Sequence, residues 1–482
     1  LYFRFILLFS IIISGIIQAQ TLDEKVDYAL DYGVSQIGTW LENHSNTSQH
    51  PSKCNSQGNW ETVNRSSWVS GFFSGCLWYM YEDNENETFL EAAIDWTGDL
   101  ESQKYNIGDH DVGFRMFCSY GNGLRLIADA DYIDILIQSA NSLATRYNPE
   151  VGCIRSWSWG SWNYPVIIDN MMNLELLFWA SKNGGGQELY DIAVAHADKT
   201  RAFHIREDGS TYHVVDFNND GSLRKFDTHQ GYSTESCWSR GQAWGLYGYT
   251  VAFRETGEVR FGETAELLAD YYIQNATEDH VPYSDYDSAL IPNESKDASA
   301  AAIACSALLE LSQLTGESKY LDEAEAIIYA LTQPDYLSEG SGTESILNRA
   351  CRAAGEDEES WIYTDYYFLE ALVRYKQIQA SVKTSSVRQI QLFDLLPNYP
   401  NPFNPKTVIK YRIQKNSDIH LDIYNQSGQA IRSLVSAYMQ PGLYNAIWDG
   451  RNSKGWSMPS GVYIARLKFG LQVKSIKMVL LN

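Results

Sequence analysis

Two carboxylates stand out for where they fall in the chain. Asp169 follows four apolar residues, Pro165, Val166, Ile167 and Ile168, and opens a stretch of apolar residues at helical spacing. Asp111, directly after His110, opens another. A carboxyl in an apolar setting is poorly solvated, which raises its proton affinity as general-acid work requires. A neighbouring carboxylate pushes it further, whereas a helix N-terminus favours the anion. Trp68 opens a third such stretch, His229 and Gln230 precede a fourth that carries Arg240 and Trp244, and Asp297 opens a fifth. Rings that stack on sugar faces, with imidazole, guanidinium and carboxylate groups to fix hydroxyls, are the makings of a saccharide site. Each residue also has a plainer reading. Asp is a favoured N-cap, so Asp111, Asp169 and Asp297 could each merely cap a helix, and Trp68 and Trp244 could be core.

These residues need a frame that brings them together. From residue 21 to 380 apolar residues recur every three to four positions, predicting twelve helices: 22–43, 66–82, 86–103, 111–127, 130–146, 169–183, 187–204, 237–255, 261–275, 297–315, 317–331 and 362–379. Links after even-numbered helices are short. Those after odd-numbered ones are mostly long, at 44–65, 147–168, 205–236, 276–296 and 332–361, and long loops in a compact domain are usually functional. The alternation predicts an all-α fold of six helical hairpins closed in a ring, an (α/α)6 toroid. Its long loops and even-helix N-termini then share one face, where the residues above open their helices.

Composition narrows the partners. Sixty Asp and Glu against 37 Lys and Arg give a net charge of −23, which disfavours nucleic acid and anionic membrane surfaces. The charge is uneven: from residue 395 onward 11 basic residues face three Asp, giving +8 and leaving −31 on the rest. Seven scattered Cys fit neither a disulfide framework nor a zinc site and read as buried small hydrophobes. Residues 216–227 approach a calcium-loop pattern, but strand-like flanks make Asn219-Asp220-Gly221 a hairpin turn. His196, His204 and His213 lack zinc spacing, so no metal and no cofactor is expected.

The two ends differ from the body. Residues 1–20 read as a signal peptide: Arg4, then an apolar run over 5–17 too short to span a bilayer, then Gln18-Ala19-Gln20. No later segment reads as long and apolar enough to cross a membrane. Residues 381–394 are expected to be a linker. After it, LPNYPNPFNPKT (396–407), too rich in Pro for a helix, leads into alternating strands, which predict a small β-sandwich over 395–482. The runs NYPNPFNPKT and WDGRNSKGWSMPSGVYIARL closely resemble the C-terminal sorting domain of type IX secretion substrates. That resemblance implies the type IX secretion machinery as a partner, passage across an outer membrane, and a secreted or surface location. A carbohydrate-binding sandwich is the plainer alternative.

The body (21–380) resembles glycoside hydrolase family 88, the unsaturated glucuronyl hydrolases. The motifs are WVSGFFSGCLWYMY (68–81), DHDVGF (109–114), RSW (155–157), PVIIDNMMNLELLFWAS (165–181), REDGSTYHVVDF (206–217), THQGYSTESCWSRGQAWGLYG (228–248), DASAAAI (297–303) and DYYFLEAL (365–372). The related unsaturated rhamnogalacturonyl hydrolases share fold and chemistry, but the HQG and CWSRGQAW blocks are more similar to family 88. The resemblance implies removal of the 4,5-unsaturated uronic acid that polysaccharide lyases leave at non-reducing ends, by hydration of its vinyl ether. It implies that Asp169 protonates C4 and assists water attack at C5, and that Asp111 orients water or stabilises developing charge. Trp68, Trp157 and Trp244 would wall the sugar, and His110, His213, His229, Gln230 and Arg240 would contact its hydroxyls or carboxylate. Arg240, with its bidentate fork, is the expected carboxylate partner. Gly355-Glu-Asp-Glu-Glu-Ser360 stands where sulfate-handling relatives are basic, and ulvan is the expected parent polymer. The rival readings are an (α/α)6 sugar epimerase and a non-catalytic sugar-binding toroid.

Overall fold

The computed structural model describes residues 20–387, 393–413, 415–469 and 472–481; the expected signal peptide, apart from Gln20, lies outside them. The chain divides into two compact units, Leu1–Ile378 and Gln379–Asn482.

The first unit is helical, and its helices are of two kinds. α1 (Leu22–Asn43) starts at a capping box, with Thr21 and Glu24 each bonded to the other's backbone N–H, and buries a stripe of Val26, Leu30, Gly33, Ile37 and Trp40. α2 (Ser70–Asn84) is different: every residue from 70 to 80 is buried. α3 (Glu87–Asp99) again buries one stripe. Next come α4 (Val112–Met116), one wider π-type turn over 117–121, and α5 (Asn122–Ile127), which continue as a single path. α6 (Asp131–Ala144), α7 (Leu174–Ala180) and α8 (Gln187–Phe203) follow. α9 (Ser239–Thr256) is buried on all sides from 239 to 252, and α10 (Val259–Gln274) on one. α11 (Ala298–Thr315) is buried on all sides, α12 (Ser318–Leu331) on one, and α13 (Ile362–Val387) closes the unit. Helices apolar all round must be enclosed by others. Four of them meet at one carboxylate: Glu370 of α13 accepts from Tyr79 of α2 (2.7 Å), Tyr247 of α9 (3.0 Å) and Ser306 of α11 (2.6 Å). α1 packs on both α2 and α12.

Two expectations need correction. α11 is in fact long and apolar enough to cross a membrane, but 78% of it is buried inside the protein, so its apolarity serves the core. The linker expected over 381–394 is helical as far as Val387, because nothing from 362 to 387 is Gly or Pro to stop α13. Residues 388–392 lie outside the described ones.

The long connections carry strands. β1 (His50–Cys54) pairs with β2 (Trp60–Val63), and β3 (Tyr147–Asn148) with β4 (Cys153–Ile154). β5 (Tyr164–Ile167), β6 (Val214–Phe217) and β7 (Leu223–Asp227) form an antiparallel sheet in that order. Its register sets Ile167 opposite Val214, and Val214 opposite Asp227. The residues just past this end of the three strands are therefore 168–169, 213 and 228–230. The β6–β7 turn is a hairpin at Asn218–Gly221, with Gly221 at φ +79°. Asp216 is fully buried, accepting from the N–H groups of Asn163 and Tyr164 and pairing with the Arg224 guanidinium.

Among its described residues the second unit has seven strands. β8 (Phe393–Leu395), β9 (Thr407–Ile413) and β12 (Gly442–Trp448) form one sheet, ordered β12-β9-β8. β10 (Ser417–Asn425), β11 (Ala430–Met439), β13 (Gly461–Phe469) and β14 (Gln472–Leu480) form the other, ordered β11-β10-β13-β14. Period-two burial turns Ile409, Tyr411, Ile419, Leu421 and Ile423 inward, around a fully buried Trp448.

Candidate active site

At the shared end of the β5-β6-β7 sheet the chain leaves β5 as a 3-10 turn, Ile168–Asn173, that carries Asp169. Ile168 N–H bonds to His213 O (3.1 Å), fixing the turn against the start of β6. Asp169 is 9% exposed, and its Oδ2 has no hydrogen-bond partner. Burial pushes its carboxyl up to about 7, against the pull of Arg240.

His213 Nε2 lies 3.8 Å from Asp169 Oδ2. The other ring nitrogen, Nδ1, receives the backbone N–H groups of His229 and Gln230, each at 3.2 Å, with the Thr228 hydroxyl also at 3.2 Å. Those donors assign the proton to Nε2, the nitrogen that faces Asp169. Burial holds the ring well below its usual range, so it is neutral. An unpartnered N–H and an unpartnered carboxyl oxygen thus face one another in a dry site.

Asp111 approaches from α4. His110 Nε2 is 3.4 Å from Asp111 Oδ1. Burial raises Asp111 well above the carboxylate range, and Asp109 and Asp169 add to the rise. His110 is neutral, its burial taking it down to about 3. For Asp109 burial is outweighed by the Arg115 guanidinium, at 2.6 Å, and the carboxyl is lowered. The approach of α4 to the Asp169 turn depends on Gly113, where a Cβ would lie 2.6 Å from Asn173 Oδ1 and 2.7 Å from its Cα.

The capping alternative separates the three Asp residues. Asp297 does cap α11, accepting from Ser299 N–H at 3.0 Å. Neither Asp111 nor Asp169 caps its helix with its side chain.

Three expected substrate contacts are redirected. Arg240 is 1% exposed, and its terminal nitrogens already bond Asp297 (3.0 Å), Cys351 O and Arg352 O (2.6 Å). Its fork is therefore not free to grip a carboxylate; it acts on the site as a fixed positive charge. Trp244, also 1% exposed, packs against Phe114 and Tyr367 and offers no face to a sugar. Gln230 is spent on a loop, its side chain donating to Arg352 O (3.1 Å) and its backbone oxygen accepting Ala354 N–H (2.8 Å).

The remaining aromatic residues form two groups. Half-buried Trp68 stacks on Tyr363 at 5.3 Å, and Tyr363 stacks on Trp361 at 5.5 Å. Trp157 is 6% exposed and stacks on Trp159, with Trp162 and His229 at their edges. Sequence reasoning missed Trp159, Trp162, Thr228 and Tyr363; three Trp within 157–162 was the one available signal. A cavity of about 470 Å³ is lined by Lys53, Arg352, Glu356, Asp357, Glu359 and Trp361. Both cations are already paired there, Lys53 with Glu359 (2.7 Å) and Arg352 with Glu356.

Among the described residues no group of three His, Cys, Asp or Glu could hold a metal ion, and all seven Cys are free and buried. Burial thus shifts both Asp111 and Asp169 toward their protonated forms beside the neutral imidazoles of His110 and His213, while the Arg240 guanidinium is paired with Asp297 (3.0 Å).

Comparison with known proteins agrees with this chemistry. Residues 35–379 match Glycosyl Hydrolase Family 88, and residues 405–468 match the FlgD Ig-like domain. An unsaturated glucuronyl hydrolase of Formosa agariphila is 42% identical over 321 residues, spanning 64% of this chain and 80% of the relative. One from Bacillus sp. is 32% identical over 327 residues, spanning 64% and 86%. The crystal structure of an unsaturated glucuronyl hydrolase specific for heparin superposes with a TM-score of 0.72 at 38% identity, over 74% of this chain and 98% of that one. With residues 35–379 matched and relatives of this activity aligned over most of their length, the chain belongs to Glycosyl Hydrolase Family 88 and is a glycosidase, an unsaturated glucuronyl hydrolase.

Proposed function

We propose that the protein removes the terminal 4,5-unsaturated uronic acid from lyase-generated oligosaccharides by hydrating its double bond. The observation that carries this is Asp169, buried, titrating near 7, with one oxygen unpartnered opposite His213 Nε2. Its proton passes to C4, and positive charge develops at C5 and the ring oxygen. Water adds at C5, its proton returning to the Asp169 carboxylate. The hemiketal opens to a C5 ketone and a hemiacetal at C1, and the hemiacetal collapses to an aldehyde, its hydroxyl proton passing to the departing saccharide's oxygen. Asp111 and His110 hold the water, and Trp68 walls the ring. The fixed charge of Arg240 draws in the uronate and keeps the proton affinity of Asp169 from rising further.

For the fold, two layers of helices with α1 packed on α12 support an (α/α)6 ring. The two sheets around one core support a β-sandwich. For delivery, the NYPNPFNPKT run and the +8 charge of residues 395–482 support type IX sorting to the surface or medium. A chain cut after residue 387 should then stay active but fail to leave a type IX host; export of the cut chain would refute sorting.

The cavity bears on the parent polymer. Glu356, Asp357 and Glu359, with both cations paired, would oppose a sulfate entering that cavity. This favours unsulfated glycosaminoglycan-type products, whereas ulvan, whose uronate is joined to sulfated rhamnose, is the parent the sequence suggests. The test is loss of double-bond absorbance on unsaturated products of hyaluronan, chondroitin, sulfated chondroitin, ulvan and gellan, with Asp169→Asn as control. Loss with hyaluronan or chondroitin supports the cavity argument, preference for ulvan refutes it, and no loss on any member refutes the hydrolase reading.

A further inference from the structure

The loop between β4 and β5, residues 155–163, holds three tryptophans in unlike settings. Trp157 is 6% exposed and Trp159 is 54% exposed, and the two rings stack at 4.8 Å with only 14° between planes. One face of Trp159 is thus covered by Trp157. Its other ring neighbours, Trp162 and His229, meet it edge-on at 5.5 and 5.4 Å.

The loop is held firmly. Ser156 Oγ donates to Asn170, the residue after Asp169, at 2.7 Å, and receives Ile167 N–H at 2.9 Å. Trp162 Nε1 donates to Asp227 (2.9 Å), Arg155 to Asn163 O (2.9 Å), and Arg224 to Ser161 O (3.2 Å). A half-exposed indole on so constrained a loop keeps its orientation without a ligand, so little side-chain entropy is lost when something stacks on it. The loop also retains unsatisfied polarity, since Trp157 Nε1 is buried with no acceptor in the protein. Contacts lead from the reacting centre to this rim: Asp169 faces His213, His213 Nδ1 receives His229 N–H, and the His229 ring flanks Trp159. The unsaturated ring occupies the buried end of that path. The rest of the oligosaccharide must leave by the exposed end.

We propose that Trp159 is the stacking platform for the saccharide on the leaving-group side of the scissile bond. This rests on the hydrolase reading above. The ligand is a pyranose presenting an apolar face, as unsulfated hexoses and N-acetylhexosamines do. Flat, unsubstituted faces stack well on an indole, and the contact is made equally before and in the transition state.

The test compares wild type, Trp159→Ala and Trp159→Phe on the unsaturated di- and tetrasaccharide of whichever panel polymer the wild type turns over fastest. Calorimetric titration with the saturated panel tetrasaccharides runs alongside and needs no turnover. Trp159→Ala should raise KM for the tetrasaccharide roughly tenfold while kcat moves by less than about threefold, and weaken the titration to match. Trp159→Phe should recover most of both. Unchanged KM and titration in Trp159→Ala, or a loss confined to kcat, overturns the platform. If the wild type turns over nothing but its titration still weakens in Trp159→Ala, the platform stands and the hydrolase reading falls. If no panel saccharide titrates, the platform falls too.

Discussion

Replacing Asp169 by Asn should make the enzyme inactive and more stable at once, and the size of the second effect follows from the site. An ordinary Asp carboxyl titrates at 3.8 and Asp169 at about 7. At 1.36 kcal/mol per pH unit between the two, ionising it in the folded protein costs about 4 kcal/mol relative to the unfolded chain. Because the folded state holds the proton more tightly, the wild type loses stability as pH rises from about 4 to about 7 and then levels off. Asn cannot ionise and so escapes that loss, although its amide is still a polar group in an apolar site. At pH 8 Asp169→Asn should therefore gain roughly 2–4 kcal/mol, several degrees in Tm, and at pH 5, where the wild type has given up only part of that stability, about 2–3 kcal/mol less than at pH 8. Turnover should fall by about 10²–10⁴, the usual contribution of a general acid. Thermal melts of both proteins at the two pH values, with turnover on the best panel substrate, test this. Equal melting at pH 8 would refute the buried, proton-holding Asp169, and turnover within tenfold of wild type would refute its role as the acid.

Other outcomes follow from the same structure. Wild-type kcat/KM should fall as pH rises through about 7, because the proton donor is then lost; a profile still rising at pH 8 would contradict the value for Asp169. Gly113→Ala should push α4 off the Asn173 turn, costing about 1–3 kcal/mol in a denaturant melt and lowering kcat, whereas Gly98→Ala, with open space around it, should do neither. Arg254→Met removes the guanidinium paired with Glu175 and one of the two paired with Glu310 (2.7 Å), which keeps Arg374, and should destabilise the body by about 2–4 kcal/mol in the same melts. Purified residues 21–387 should match full-length kcat and KM, since every residue placed in the site lies in the helical unit; a loss beyond about threefold would give the β unit a part in catalysis.

Much of this was legible because it rests on local pattern. Apolar spacing sets most of the helical stretches, and the Pro165–Ile168 run marks Asp169 as poorly solvated, although the strand there and the 3-10 turn that replaces the expected helix start were not read from it. The unreadable part depends on residues distant in sequence. Arg240 lies beside Trp238 and faces Asp297, Cys351 O and Arg352 O, so its fork is consumed by groups 57 or more positions away. Trp68 and Trp244 look alike as helix-opening aromatics, yet packing of Phe114 and Tyr367 buries only the second. Asp297 caps and Asp111 does not, because the Asp111 side chain faces His110. The tautomer of His213 depends on where the Thr228–Gln230 turn ends up, which sheet register decides and sequence spacing does not.

The central claim is that Asp169 delivers a proton to carbon. It is tested most directly by running the reaction in D2O on the best panel substrate and following the products by NMR, with Asp169→Asn in parallel. The account predicts that the vinyl proton signal disappears and one deuterium appears at C4 of the released sugar, with wild type only. Release of a sugar whose double bond is intact, with no deuterium at C4, would mean displacement at the anomeric carbon and would contradict it.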